Sequence, residues 1–197
     1  MDTPQYAALR QHLQTFAHLS DDEIRLGDDY WSLRTVAKRD SFNFNNSACR
    51  HVDFVVKGIF RVYYLDPKTE QEHNLFFIAE NMFLTSLKSL LTQTTCPYSI
   101  EALEDAELLV IQKEHLQQLY VRSHGWERFG RLLAEQYFIL NQTRAESLLT
   151  KSAEERYDEL LAAFPNLVNR VSLSHIASYL GIKGPSLSRI RAQSVHK

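Results

Sequence analysis

Leu173-Ser-His-Ile-Ala177-Ser-Tyr-Leu180-Gly181-Ile182-Lys-Gly-Pro-Ser-Leu187-Ser-Arg-Ile190-Arg-Ala192 decides how the chain is read. Two helices that cross closely need a small residue at the crossing, and Ala177 supplies it. Gly181, four residues later, suits a turn where positive φ is cheap for glycine. Ile176, Leu180, Ile182, Leu187 and Ile190 fall where an apolar seam between the helices is required. Ser172 is placed to cap the first helix, and Pro185 suits the start of the second because its φ is already near the helical value. The pattern predicts a helix-turn-helix; two ordinary packed helices are the alternative.

Charge supports the first reading. From Leu160 to Lys197 there is no Asp or Glu, but there are Arg170, Lys183, Arg189, Arg191 and Lys197. Residues 151–197 hold seven Lys and Arg against four Asp and Glu, leaving 15 against 20 of the chain's 22 and 24 for residues 1–150. A basic segment joined to an acidic remainder suggests a DNA reader joined to a sensor. With Leu187 and Ile190 inward, Ser186, Ser188 and Arg189 point outward from a helix that fits the major groove. Arg189 is the expected base reader, since a guanidinium bonds guanine O6 and N7 together. Ser186 and Ser188 would meet bases or phosphates. Lys183 and Arg191 are expected at phosphates, which position rather than specify.

The remainder has other periods. Residues 4–27 read as helical, with Tyr6, Leu9, Leu13 and Phe16 on one face and a Ser20–Glu23 capping box. Five β-rich runs follow, 31–37, 53–65, 73–78, 98–102 and 107–111, separated by turns such as 43–47 and 66–68. Many short strands with regular turns predict an antiparallel barrel or jelly roll, with Gly58 marking a bulge or corner. A short helix over 115–123 and a long one over 126–150 come next. The long one has apolar residues on too many sides for a single packing face, from Trp126 and Phe129 to Phe138, Ile139 and Leu148, which suggests pairing with a second copy. Lys151 is the expected hinge, and Ser152–Glu155 is another capping box. The expected divisions are 1–112, a β-roll sensor; 113–150, a connecting and dimerising helix; and 151–197, the DNA-binding part.

Two cysteines, Cys49 and Cys96, provide neither a disulfide framework nor a zinc site. No signal peptide or membrane span is expected, which suggests a cytoplasmic protein. A metal enzyme on the roll is the rival class, but only His51 and His73 are on offer there, without ligand spacing. No metal and no catalytic residue is therefore expected.

The order of parts, together with Ile100-Glu-Ala-Leu-Glu-Asp105 and Ser186-Leu-Ser-Arg-Ile-Arg191, resembles the cyclic-AMP receptor protein / fumarate-nitrate regulator (Crp/Fnr) family, in its Bacteroidetes version. The resemblance implies an α+β fold: an N-terminal double-stranded β-helix (jelly roll, cyclic-nucleotide-binding-like), a long dimerisation helix and a C-terminal winged-helix-like helix-turn-helix domain. It also implies a homodimeric transcription regulator that binds double-stranded DNA, and RNA polymerase if it is an activator. Cyclic-nucleotide binders cradle their ligand with Gly-Glu and Arg-Ser. Here Ala79-Glu80 and Cys96-Pro97 are assigned to those places, with a longer loop between them, so the phosphate would lack its arginine and cyclic AMP is not expected. Glu80, Phe83, Leu84, Cys96 and Tyr98 are the expected pocket residues for an effector of unknown identity; an ungated regulator whose roll only dimerises is the alternative. Two cysteines are too few for an iron–sulfur cluster. Pro185 replaces a base-reading Glu of many members, and little chain remains after Arg191 for a β-wing.

Overall fold

The structure, a computed structural model, describes residues 3–43 and 47–194. Part of the expected 43–47 turn, and Lys197 of the basic tail, lie outside the described residues. Pro4–Ala17 (α1) buries Leu9, Leu13 and Ala17, and Asp21–Arg25 (α2) starts at Ser20 with both halves of its capping box formed. The strands are Trp31–Val36 (β1), Ser41–Asn43 (β2), His51–Lys57 (β3), Phe60–Leu65 (β4), Glu72–Ile78 (β5) and Phe83–Leu84 (β6). Leu87–Thr92 (α3) follows, then Tyr98–Ala102 (β7) and Ala106–Gln112 (β8). Two four-stranded antiparallel sheets, ordered β1-β8-β3-β6 and β2-β7-β4-β5, make the jelly roll.

The apolar run 53–65 is not one strand. It splits at Gly58, whose φ of 105° is open to glycine, and the chain crosses there from one sheet to the other. A Cβ at Gly58 would lie 2.5 Å from the Ala106 Cβ, so the corner also needs the missing side chain. The short β2 and β6, and α3 inside what reads as a loop, are additions to the sequence expectation. Neither two or three strand residues nor six helical ones leave a periodic signal long enough to read.

Lys113–Arg122 (α4) leads into His124–Thr150 (α5), which Ser123 caps by accepting from the Gly125 and Trp126 N–H groups. Trp126, Phe129 and Leu133 bury the first turns of α5 against α1 and the roll, and the Trp126 indole donates to Glu23 O at 2.7 Å. Further along, Phe138, Ile139 and Leu149 are exposed.

Ala153–Ala163 (α6) begins at the Ser152–Glu155 capping box. Leu167–Arg170 (α7), Leu173–Leu180 (α8) and Gly184–Ser194 (α9) complete the chain. Among the described residues no strand follows Gln112, so the C-terminal part shows helices and no wing. Its core, with Tyr157, Leu160, Leu167, Ile176, Leu187 and Ile190, continues into Ile59, Phe77 and Leu103 of the roll.

Gly58→Ala should destabilise the protein by about 1–3 kcal/mol, through backbone strain and the clash with Ala106. Gly184→Ala, with open space around its Cβ, should change stability by about 0.5 kcal/mol or less. Urea unfolding of the two variants checks the difference.

Candidate nucleic-acid interface and effector cavity

The helix-turn-helix forms as its residue types require. Ser172 caps α8 by accepting from the His175 N–H at 3.3 Å, and Gly181 ends it with a left-handed φ of 68°. Ile176, Ala177, Leu180, Leu187 and Ile190 are buried in the seam and Ile182 is partly buried. On the other side of α9, Ser186, Ser188 and Arg189 are exposed, as is Lys183 in the turn, while Arg191 is half-buried. The Ser188 hydroxyl donates to Gly184 O at 3.2 Å. Among the described residues, no side-chain hydrogen bond or ion pair occupies Lys183, Ser186, Arg189 or Arg191. They form an unspent row of donors on an acid-free helix, the chemistry that meets phosphate and base edges.

The face of α8 away from α9 is docked on β5. The Ser178 hydroxyl donates to Glu72 O and accepts from the Asn74 N–H, both at 3.0 Å, and the Asn74 amide donates to His175 O at 2.9 Å. Behind them lies Arg61, almost wholly buried. It pairs with Glu72 at 2.5 Å and with Glu101, and donates to Asn74 at 3.2 Å and to His175 Nδ1 at 3.3 Å. Burial works against its charge, but the two carboxylates outweigh that and raise its pKa. His175 is held below the ordinary histidine value by burial and by the Arg61 charge.

Arg170 makes a second clamp, to Glu80 at 2.5 and 3.0 Å and to Glu104. Glu80 also accepts from the Gly58 N–H at 2.9 Å. Burial pushes the Glu80 carboxyl up, yet Arg170 and the backbone donors hold it below its usual range. Arg170 therefore belongs to the junction, not to the unspent basic row. Nothing local in the sequence marks Arg61, Asn74 or Glu104 as junction residues, since the partners they meet across it lie 66 to 114 positions away.

A cavity of about 500 Å³ opens between the roll and α5. Val62, Phe76, Ile78 and Ile100 line it from the roll, Leu84 to Lys88 and Leu91 from around α3, and Ala134, Tyr137, Phe138, Leu140 and Asn141 from α5. Of the expected pocket residues, Leu84, Cys96 and Tyr98 meet here. Glu80 does not, being drawn to Arg170. Phe83 does not either: its ring packs among His12, Phe16, Phe54 and Phe129 in the core. In their place Thr85 and Ser86 line the wall where α3 begins. The polar lining atoms are largely satisfied by one another. The Ser86 hydroxyl donates to Cys96 Sγ at 3.0 Å, and Thr85 Oγ1 donates to His51 O at 2.9 Å. The Tyr137 hydroxyl donates to Phe83 O and accepts from the Thr85 N–H. Among the described residues no arginine and no carboxylate lines the cavity, and Lys88 is the one charged group there.

His51 Nδ1 sits 2.6 Å from Asp53 Oδ1, and no group of His, Cys, Asp or Glu among the described residues is placed to hold a metal. No helix among them is long and apolar enough to cross a membrane.

Residues 33–123 match the cyclic nucleotide-binding domain. No curated protein sequence is similar enough to the chain to count as a relative. Among solved structures, the chain is similar to FixK2 of Bradyrhizobium japonicum, with a TM-score of 0.72 at 17% identity over 83% of each chain. It is also similar to a Crp/Fnr-family putative transcriptional regulator of Eubacterium rectale, with a TM-score of 0.68 at 19% identity over 94% of this chain and 88% of that one. The c-di-GMP-responsive global regulator CLP of Xanthomonas campestris gives 0.66 at 16% identity, over 90% of this chain and 92% of that one. These likenesses cover the roll, the long helix and the terminal helices together.

Removing the Arg170 charge while keeping its stem, as in Arg170→Met, should cost about 1–2 kcal/mol of docking and speed amide exchange in α7 and α8 roughly fivefold to thirtyfold. Because the Glu80 pKa is depressed, its contribution is present above the unfolded carboxylate value, about 4.3, and fades as pH falls through the folded value. Hydrogen exchange followed by mass spectrometry checks both effects.

Proposed function

We propose that this chain, which carries a cyclic nucleotide-binding domain on the Crp/Fnr regulator fold, is a dimeric, sequence-specific DNA-binding transcription regulator. The observation that carries the reading is the outer face of α9. Among the described residues the exposed side chains of Ser186 and Arg189 make no hydrogen bond, and that of Ser188 bonds only Gly184 O of its own helix. Arg189 reads a base, Ser186 and Ser188 meet bases or phosphates, and Lys183 and Arg191 hold phosphates. The exposed Phe138, Ile139 and Leu149 on α5 are the surface on which a second copy pairs. Two copies related by a two-fold axis would then place their reader helices in successive major grooves. The domain divisions are 1–112, 113–150 and 151–197, with Lys151 as the hinge. If the protein activates transcription, RNA polymerase is its further partner. The cytoplasm is where such a regulator works, and no catalytic step is assigned to it.

The roll is proposed as an effector domain that does not take cyclic AMP. Among the described residues a cyclic phosphate entering the cavity would find no guanidinium, and a ribose would find no carboxylate. A roll serving dimerisation alone is the second reading, and a cavity large enough for a small molecule favours the first.

Selection of bound duplexes from a random library tests the assignment. The wild type should enrich a two-fold-symmetric site. Arg189→Ala should cost about 1–3 kcal/mol and relax the preference at one base pair per half-site. Lys183→Ala should weaken all duplexes alike and make the salt slope shallower by about one. Equal weakening on every sequence by Arg189→Ala would make Arg189 a phosphate contact instead.

A further inference from the structure

We infer that the cavity between the roll and α5 takes a small apolar monoacid, a carboxylate at the end of a hydrocarbon body. The inference rests on the reading of the roll as an effector domain, and it names the class of ligand. Most of the wall is hydrocarbon, including Val62, Phe76, Ile78, Leu84 and Ile100, and a volume of about 500 Å³ suits a small organic molecule.

Most of the polar atoms inside are already committed. Ser86 and Cys96 bond each other, Thr85 bonds His51 O, and Tyr137 is used twice by the backbone of Phe83 and Thr85. A sugar or phosphate with many acceptors would therefore give up its water for few donors, which is costly for a polar ligand.

Charge narrows the class further. Lys88 is exposed, lines the cavity and pairs with no carboxylate among the described residues. Among the described residues no acid lines the space, so a cationic head would have no counter-charge there and a single carboxylate would have one. An ammonium is a point charge, sufficient for the single charge of a monoacid. The ligand would also touch Ala134, Tyr137 and Phe138 of α5, the helix that leads to α8 and α9. Occupancy would thereby reach α8, and α9 packed on it, where Arg144 of α5 stacks on Tyr179 of α8.

Isothermal titration of the full-length protein with hexanoate, octanoate and decanoate tests this, with 1-octanol and cyclic AMP as comparators. One acid should bind per chain, tightening about fourfold per methylene until the cavity is full. Lys88→Gln should weaken octanoate about threefold and leave 1-octanol unchanged, as expected for an exposed ion pair. Val62→Phe, or Ala134→Phe if the first variant folds poorly, should abolish octanoate binding by filling the space. Cyclic AMP binding more tightly than octanoate, an affinity independent of chain length, or equal loss of acid and alcohol in Lys88→Gln would each overturn the assignment. Fluorescence anisotropy on a random duplex at low salt, in the same samples, separates the two levels. Retained DNA binding without acid binding sinks the ligand class alone. Acid binding without DNA binding sinks the regulator reading alone.

Discussion

The docking of α8 on the roll is built around one buried charge. Arg61 lies under the β5–α8 junction, and a guanidinium there is tolerable only because Glu72, Glu101, Asn74 and His175 surround it. The two carboxylates that balance it, and Asn74, lie on the roll, and α8 adds His175 Nδ1 at 3.3 Å, so the docked helix completes a site that the roll has already neutralised. Arg170 repeats the arrangement at the start of the terminal helices, drawing Glu80 and Glu104 of the acidic roll onto the acid-free segment. Opposite charge thus joins the two parts on one side of α8 and leaves the basic row of α9 unspent on the other.

The same helix α8 therefore serves two surfaces. Its seam with α9 is apolar and is set by Ile176, Leu180 and Leu187. Its outer side is polar and hydrogen-bonds the roll through His175 and Ser178. α5 adds a third tie, with the Arg144 guanidinium stacked 3.8 Å from the Tyr179 ring centroid and donating to Tyr179 O. Arg156 of α6 donates to Leu180 O at 2.8 Å, closing the C-terminal end of α8. Arg144 stands three residues beyond Asn141 of the cavity wall and ties the same helix, α5, to α8.

Legibility in the sequence followed the range of the interactions. The helix-turn-helix was readable because Ala177, Gly181 and the apolar seam act within a span of 15 residues, where spacing maps directly onto geometry. The roll was readable as a class but not strand by strand. Gly58 signalled a corner, yet only the pairing partners show that β3 and β4 belong to different sheets. Among the expected pocket residues, Leu84, Cys96 and Tyr98 meet at the cavity, while Glu80 turns outward to Arg170 and Phe83 inward to the aromatic core. Neighbours in sequence on a tight turn face different ways, and no local pattern reports which. Arg170 shows the converse limit: a cation in an acid-free tail looks available for phosphate until its distant partners are known.

The claim on which the account stands is that α9 of two paired copies enters successive major grooves. Hydroxyl-radical footprinting on a duplex selected by the purified protein tests it most directly. The account predicts two protected patches on one face of the duplex, about one helical turn apart and related by two-fold symmetry, both lost when Arg189 and Lys183 are replaced together by Ala. A single unsymmetrical patch, or protection that survives the double replacement, would contradict it.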